Sequence, residues 1–273
     1  MMKIPFTKMH GLGNDFIVLD TRKKDIPSIS KAVKKLGDRR FGIGFDQALI
    51  LKDSKEADFR MDIYNNDGGR VEMCGNGIRC FASYIWKRRL SRKSILNIET
   101  LAGIIRPARE GALVRVDMGE PILEGKLIPT TLEGNIVDYP LVIEDRQFDI
   151  TCVSMGNPHC VIFVDDVDNF PVEKYGPKIE THSLFPKRTN VEFIQVLNRK
   201  KLKMRVWERG AGETLACGTG ATAAAIAANI KGLGDKKVSI ILKGGILKIE
   251  RAGDSHAYMT GPAEEVFTGI VEL

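Results

Sequence analysis

Two stretches of this chain carry apolar residues at helical spacing, and each directly follows a glycine-rich turn. From about Gly77 the positions Ile78, Phe81, Ala82 and Ile85 recur at i, i+3, i+4 and i+7, and Tyr84 and Trp86 widen the face almost all round. The stretch Ala221 to Ile230 is apolar on every side, a pattern that belongs inside a protein. Such a helix needs strands around it, and short apolar runs between turn signals supply them. In the first half these are KIPFTKM, the run after HGLGND, QALILK with Gln47 at its start, 58 to 64, 94 to 99, 103 to 106 and 112 to 118. In the second half they include 237 to 242, 245 to 250 and 256 to 260, and VFTGIVEL closes the chain. Residues 28 to 36 read as a short surface helix, 168 to 180, with Pro171 and Pro177, as a short surface helix or loop, and 120 to 145 as a strand-bearing connector. The expected fold class is mixed α/β, of α+β character, with many strands serving one buried helix per half.

The two helical stretches are versions of one unit. Met61 to Leu90 and Met204 to Ile230 each read as strand, glycine turn, cysteine and helix, and Met61 and Met204, Cys74 and Cys217, Gly75 and Gly218, Gly77 and Gly220 all stand 143 residues apart without a gap. The same offset pairs Gly13-Asn14 with Gly156-Asn157 and Gln47 with Asn190, and an offset of 142 pairs Gly103 with Gly245 and Gly119 with Gly261. A period this long excludes a solenoid, whose units run to about 20–50 residues, and points to two copies of one domain. The expected domains are residues 1–118 with 263–273, and 119–262, pseudo-symmetric and without a low-complexity linker between them. Each half is expected to send its last strand into the other. If the copies face each other across a pseudo-twofold axis, Cys74 and Cys217 meet in an interdomain cleft.

Bulk composition narrows the function classes. The chain of 273 residues is 43% apolar and 28% charged, with no run of about 18 apolar residues and no basic-then-apolar start, so neither a membrane span nor a signal peptide is expected. A cytoplasmic location follows. The five cysteines, at 74, 80, 152, 160 and 217, are odd in number and form no close-spaced staple, which makes reduced thiols the default. A net charge of +6 raises nucleic acid as a partner, but the basic residues are scattered among acids, and Lys87-Arg88-Arg89 and Arg199-Lys200-Lys201 lack interleaved aromatics. These clusters read as solvated faces, and nucleic acid is not expected.

A cysteine set just before Gly-Asn-Gly or Gly-Thr-Gly, at the start of a helix, lies where unpaired N–H groups and the positive end of the helix dipole converge. That environment is expected to favour thiolate, and the glycines leave the amides open to an anion. A carboxylate held by both helix ends would have its α-carbon between two sulfurs, one removing a proton and the other returning one, with neither metal nor pyridoxal phosphate required. One such cysteine alone reads as a small buried hydrophobe; two in matched glycine contexts do not. Cys80, Cys152 and Cys160 lack the context and read as core. His159 and Cys160 would point apart on a strand, so no zinc site is expected. Asn14, Gln47, Asn157 and Asn190 are amides at turn–strand junctions related by the common offset, and they are expected to ring the same cleft. Glu208 and Arg209 break the symmetry, because their partners in the first copy are Asn65 and Asn66. The charged pair suits a second amino-acid-like group, Arg for its carboxylate and Glu for its ammonium.

The motifs MHGLGNDF, GIGFDQ, CGNGIRCFA, SMGNPHC, YGP, WERGAGET and ACGTGA occur in order along nearly the whole chain. In them the chain resembles the diaminopimelate epimerase family, cofactor-independent isomerases of lysine and cell-wall precursor synthesis. The resemblance implies two domains, each a strongly curved mixed sheet wrapped around a central helix, with the last strand returning to the first domain. It implies interconversion of LL- and meso-diaminopimelate, with Cys74 and Cys217 as the proton-transfer residues. Gly75, Asn76, Gly218 and Thr219 then supply the amides for the reacting carboxylate. Asn14, Gln47, Asn65, Asn157, Asn190, Glu208 and Arg209 match substrate contacts, chiefly at the distal L-centre. His159 and Glu208 resemble residues that assist the thiols, although His159 on a strand reads equally as a packed structural histidine. The partner expectations are a small-molecule substrate and self-association as a homodimer. The departures are the doubled Met at the start, Gly69-Arg70 in the turn before Cys74, and Val191-Glu192 after Asn190. The competing readings are a proline or hydroxyproline racemase, and a non-catalytic amino-acid-binding protein with a redox-active cysteine pair.

Overall fold

The computed structural model describes residues 2–72 and 74–272. They fall into two units, one holding the residues up to Asp117 and those from Thr260 onward, the other Met118–Met259. The first unit contains β1 (Lys3–Gly11), β2 (Asn14–Asp20), α1 (Ile29–Gly37), β3 (Gln47–Lys52), β4 (Phe59–Asn65), β5 (Arg70–Val71), α2 (Gly75–Lys87), β6 (Ile98–Thr100), β7 (Gly103–Ile105), β8 (Ala108–Glu110) and β9 (Leu113–Asp117). The second contains β10 (Tyr139–Ile143), β11 (Arg146–Ser154), β12 (Pro158–Phe163), α3 (Val172–Glu180), β13 (Asn190–Asn198), β14 (Lys201–Glu208), β15 (Gly212–Thr214), α4 (Gly218–Ile230), β16 (Lys237–Leu242), β17 (Gly245–Arg251) and β18 (Ala257–Gly261), in which the boundary falls. The closing strand β19 (Glu264–Glu272) pairs antiparallel with β1 in the first unit, as the resemblance implied.

The repeat read from glycines and cysteines is a repeat of topology. In the first unit the sheet order is β19-β1-β2-β3-β4-β6-β7, and in the second it is β10-β11-β12-β13-β14-β16-β17-β18. Both change direction in the same places: parallel at β2/β3 and β12/β13, antiparallel at β3/β4 and β13/β14, parallel at β4/β6 and β14/β16. The ribbon strands β5 and β15 hang from β4 and β14 alike. The fold is mixed α/β, with few helices.

Burial on both faces explains why the strands read as unbroken apolar runs. Along β2 and β3, Ile17, Leu19, Ala48 and Ile50 belong to the core that includes Val33 and Leu36 of α1. Residues in the alternate phase, Phe16 and Leu49, lie against Gly77 of α2. Helix α4 packs on β11, β12, β13, β16 and β17, and every residue from Gly220 to Ala228 is buried.

Local chemistry moves several boundaries. Helix α2 begins at Gly75 and α4 at Gly218, each three residues before the first apolar position of its pattern, Ile78 and Ala221, because Cys74 and Cys217 are extended N-caps whose sulfurs accept from Gly77 and Gly220. Of residues 94 to 99 only the end is strand; Ile95 makes an isolated bridge to Ala108. In the connector, Gly125 N–H donates to Gly134 and Ile122 bridges Ser154, and β10 is its one regular strand. The residues after Gly119 thus join the second unit's sheet by a bridge rather than by a strand.

Of the two readings of residues 168 to 180, a short surface helix or a loop, the helix is the one found, exposed at Glu173, Lys174 and Lys178 and buried on its other side. Val172, Tyr175 and Ile179 of α3 are buried in a core with Phe148, Phe170 and Phe193. Prolines at 171 and 177 kept a loop open as the alternative; the first precedes the first turn of the helix, where a missing N–H costs nothing. The indole of Trp207 lies on Gly176, where an added Cβ would stand 2.6 Å from Trp207 Cγ. Gly176→Ala should therefore force the ring aside and cost roughly 1–3 kcal/mol; a thermal midpoint equal to that of the unaltered chain would show that the ring yields freely.

Candidate active site

In the first unit a turn with positive φ at Leu12 (60°) and Gly13 (88°) delivers Asn14 to the start of β2. The Asn14 amide nitrogen donates to Asp46 Oδ2 at 2.7 Å, which turns its oxygen toward α2. That oxygen accepts from Asn76 Nδ2 at 3.3 Å and from the Cys74 sulfur at 3.9 Å. Gln47 and Asn65 are cross-strand partners joined through Gln47 Nε2 and Asn65 Oδ1 at 3.0 Å. Gln47 Oε1 and Asn76 Oδ1 are buried with no hydrogen-bond partner among the described residues. Buried acceptors in that condition are costly, and a ligand's N–H groups would satisfy them.

An ionic frame holds this amide set. Asp15 accepts from Lys8 at 2.7 Å and from Arg39 at 2.8 and 3.0 Å, and Arg39 also reaches Asp46 at 2.7 Å. Burial pushes the Asp15 carboxyl upward, but the hydrogen bonds from Arg39 and Lys8 outweigh it and hold its pKa at about 2.

The second unit repeats the backbone with different side chains. Gly156, with φ of 89°, delivers Asn157, whose nitrogen donates to Thr219 Oγ1 at 3.3 Å. Its oxygen faces His159 Nε2 at 3.0 Å, and His159 Nδ1 lies 2.7 Å from Glu192 Oε1, both side chains fully buried. Asn190 donates to the Pro158 carbonyl at 2.8 Å and accepts from the Arg209 N–H at 2.9 Å, so one amide pins the strand carrying Glu208 and Arg209. Glu180 of α3 supports the same turn, accepting from Trp207 Nε1 at 2.8 Å and from Gly210 N–H at 2.9 Å.

Cys217 caps α4 by accepting from Gly220 at 3.4 Å, with Thr219 Oγ1 at 3.5 Å. Here the expectation of a thiolate fails. Burial pushes the Cys217 thiol well above its ordinary pKa, and the nearby Glu208 and Glu192 carboxylates push it further; the Thr219 hydroxyl and Gly220 amide pull the other way and lose. A helix end favours an anion only if no carboxylate already occupies its surroundings. Glu208 accepts from Thr214 Oγ1 at 2.5 Å and bonds the Cys217 thiol, and burial raises its carboxyl above the usual range.

Each unit thus gathers its share of the sequence-derived candidates: Asn14, Gln47, Asn65, Cys74, Gly75 and Asn76 in the first, and Asn157, His159, Asn190, Glu208, Arg209, Cys217, Gly218 and Thr219 in the second. Cys80, Cys152 and Cys160 are core residues. Sequence reasoning passed over Asp46, Glu180, Arg79 and the role of Glu192. Arg79 and Glu192 had a signal, since each is a charge set inside an apolar run. Among the described residues no three His, Cys, Asp or Glu side chains cluster to hold a metal, and no helix is long and apolar enough to cross a membrane.

This geometry can be set beside known proteins. The family model for diaminopimelate epimerase matches residues 6–124 and 151–266. The chain belongs to the diaminopimelate epimerase family. It is 50% identical to the diaminopimelate epimerase of Acetivibrio thermocellus over 98% of both chains, and 53% identical to that of Moorella thermoacetica over 98% of this chain and 99% of the other. The family's fold extends to distant structures. A PhzF-family phenazine biosynthesis protein from Bacillus anthracis superposes with a TM-score of 0.73 over 100% of both chains at 18% identity. A hydroxyproline epimerase from Agrobacterium vitis, solved with trans-4-hydroxy-L-proline, gives 0.68 over 98% of this chain and 92% of the other at 13% identity. At that identity only the fold is shared.

The frame around Asn14 has a pH signature. A depressed folded-state pKa means that the stabilisation from Asp15 is complete above its ordinary value of 3.8 and is lost as pH falls through that value toward 2. Carboxyl NMR should place the Asp15 midpoint near the lower figure, and Asp15→Asn should flatten the stability profile across that interval. A midpoint at the ordinary value would refute the frame.

Proposed function

We propose that this isomerase interconverts LL-2,6-diaminopimelate and meso-diaminopimelate without a cofactor, passing a proton between two thiols, Cys74 and Cys217. The observation that carries the reading is the capping cysteine at the first turn of the buried helix in each repeat, in a chain of this family. The free amides at Gly75, Asn76, Gly218 and Thr219 suit a carboxylate, whose negative charge grows as the α-proton leaves. In this reading inversion demands that both thiols reach one α-carbon from opposite faces, and each repeat supplies one.

Substrate contacts, chiefly at the distal amino-acid centre, are assigned to Asn14, Gln47, Asn65, Asn157, Asn190, Glu208 and Arg209. Arg209 is supported for this because its backbone is tied to Asn190 while its guanidinium makes one long hydrogen bond among the described residues, 3.4 Å to the Lys187 carbonyl, and is available to a carboxylate. His159 acts in this scheme through Asn157 and Glu192, and Glu208 through the Cys217 thiol. The reading places the enzyme in the cytoplasm, in lysine and peptidoglycan precursor synthesis, as a homodimer without a nucleic-acid partner.

Incubation with LL-diaminopimelate in deuterated water should yield the meso isomer with deuterium at a single α-carbon. Absence of the meso isomer and of α-deuterium would end the proposal. Cys74→Ala and Cys217→Ala should each reduce turnover by at least about 10²–10⁴-fold, the usual yield of a positioned acid or base, with an unchanged fold by circular dichroism. Full activity in either variant would exclude the two-thiol scheme. Arg209→Met should act mainly on KM, raising it about tenfold or more, because a distal carboxylate contact is the same in ground and transition states.

A further inference from the structure

The 143-residue register also joins the two short helices, since α1 (Ile29–Gly37) and α3 (Val172–Glu180) coincide end for end. What the mates carry has diverged together. Val33 and Tyr64, in one core cluster of the first unit, correspond to Gly176 and Trp207 in the second, so the larger ring sits where the helix has given up its side chain. The last helical residue differs most. Gly37 lies against the backbone of the β4–β5 turn, where an added Cβ would stand 2.9 Å from the Asn66 carbonyl oxygen. Its mate is Glu180, a carboxylate that is 5% exposed.

Glu180 reaches the corresponding turn through its side chain. Its Oε2 accepts from Trp207 Nε1 at 2.8 Å and its Oε1 from the Gly210 N–H at 2.9 Å, with Arg188 Nη1 3.6 Å from the same oxygen. Arg209 and Gly210 are themselves exposed, and they lie outside the β14–β15 ladder, whose last pair is Glu208 with Gly212. Both copies close the turn with the same backbone hydrogen bond, Ala211 N–H to the Glu208 carbonyl at 3.1 Å and Gly68 N–H to the Asn65 carbonyl at 2.9 Å. The turn types differ. In the second copy φ is positive at Gly210 (75°) and not at Arg209, which is type II, whereas in the first it is positive one residue later, at Gly68 (89°). Type II differs from type I by a flip of the central peptide plane. Here that plane joins Arg209 to Gly210, and its N–H is the group that Glu180 holds. The preceding N–H, of Arg209, is held by the buried Asn190. An exposed turn thus has both central N–H groups fixed by buried acceptors.

We propose that Glu180 is a positioning residue for substrate recognition, fixing the Arg209–Gly210 peptide in its type II orientation and so aiming the Arg209 guanidinium at the distal carboxylate. The inference rests on the reading of Arg209 as a substrate contact. Glu208 needs no such support, because the strand ladder and Thr214 hold it. Glu180 therefore acts on the residue that binds and leaves the residue beside Cys217 in place. A carboxylate suits the task because both of its oxygens accept; glutamine would turn an amide NH₂ against one of the two donors. In the first unit, where Asn66 stands in place of Arg209, the helix ends in glycine and holds no such strut.

The test is a double-mutant cycle on the full chain, with LL-diaminopimelate as substrate. Glu180→Gln should raise KM about three- to tenfold, no more than the loss of Arg209 itself, and leave kcat within about twofold. In the Arg209→Met background the same change should leave KM where Arg209→Met has put it, whereas its effect on the thermal midpoint should be equal in the two backgrounds. A merely structural role gives KM penalties that multiply. If Glu180→Gln does not fold, hydrogen exchange in the unaltered protein decides, and the Gly210 amide should exchange at least about tenfold more slowly than in an unstructured peptide of the same sequence. An active enzyme with multiplying penalties, or with an unprotected Gly210 amide, overturns this inference alone. An unaltered chain that does not epimerise the substrate overturns the underlying reading and this inference with it.

Discussion

The constraint on which each half depends is the backbone N–H at the third position of a buried helix, which has no partner within the helix and none in water. A cysteine sulfur accepts it in both copies, at 3.4 Å from Gly77 in one and from Gly220 in the other. Serine or aspartate would cap as well. A thiol is the choice that also leaves a polarisable acid–base group at the helix entrance, and the glycines keep the neighbouring amides uncovered. In the proposed reading, stability and chemistry are therefore set by the same atom.

Duplication preserved that cap and let its surroundings diverge. Asn14 and Asn157 occupy the same place in the two repeats with opposite amide orientation, because Asp46 takes the nitrogen of the first and His159 faces the oxygen of the second. Arg79 against Thr222 and Leu49 against Glu192 extend the difference into the core. A catalyst for interconverting two isomers needs near-symmetry at the reacting carbon and asymmetry elsewhere, since the rest of a diaminopimelate molecule lies to one side of that carbon. In the proposed reading Glu208 and Arg209, without charged counterparts at Asn65 and Asn66, supply it.

Much of the fold was legible because the repeat could be tested against itself. The 143-residue register joins helix starts, at Gly75, Gly77, Gly218 and Gly220, with matching positive-φ turns, at Gly13 and Gly156 with φ of 88° and 89°. The apolar helix ATAAAIAA announced its burial, and the strands followed. Helix α3 was left undecided between helix and loop because its two prolines imitate a loop, and its burial was missed because its core face is carried by few residues, Val172, Tyr175 and Ile179, within a polar segment. The Cys217 thiol was misjudged for a related reason: proximity to a helix end is visible in sequence, whereas the carboxylates of Glu192 and Glu208 arrive from strands that precede it by up to 25 residues.

By itself the sequence determined the duplication, the two capping cysteines, the polar residues at each turn–strand junction and, through contiguous motifs, the family. These are local facts: a glycine sets a turn, a cysteine sets a cap, and both recur at a constant spacing. Tertiary structure alone decided which buried carboxylates stand near the Cys217 thiol, which way each asparagine turns, and that Glu180 reaches the Trp207–Gly210 turn. Those outcomes depend on Coulomb and hydrogen-bond interactions between strands distant in the chain, where position in space, and not spacing in sequence, sets the energy.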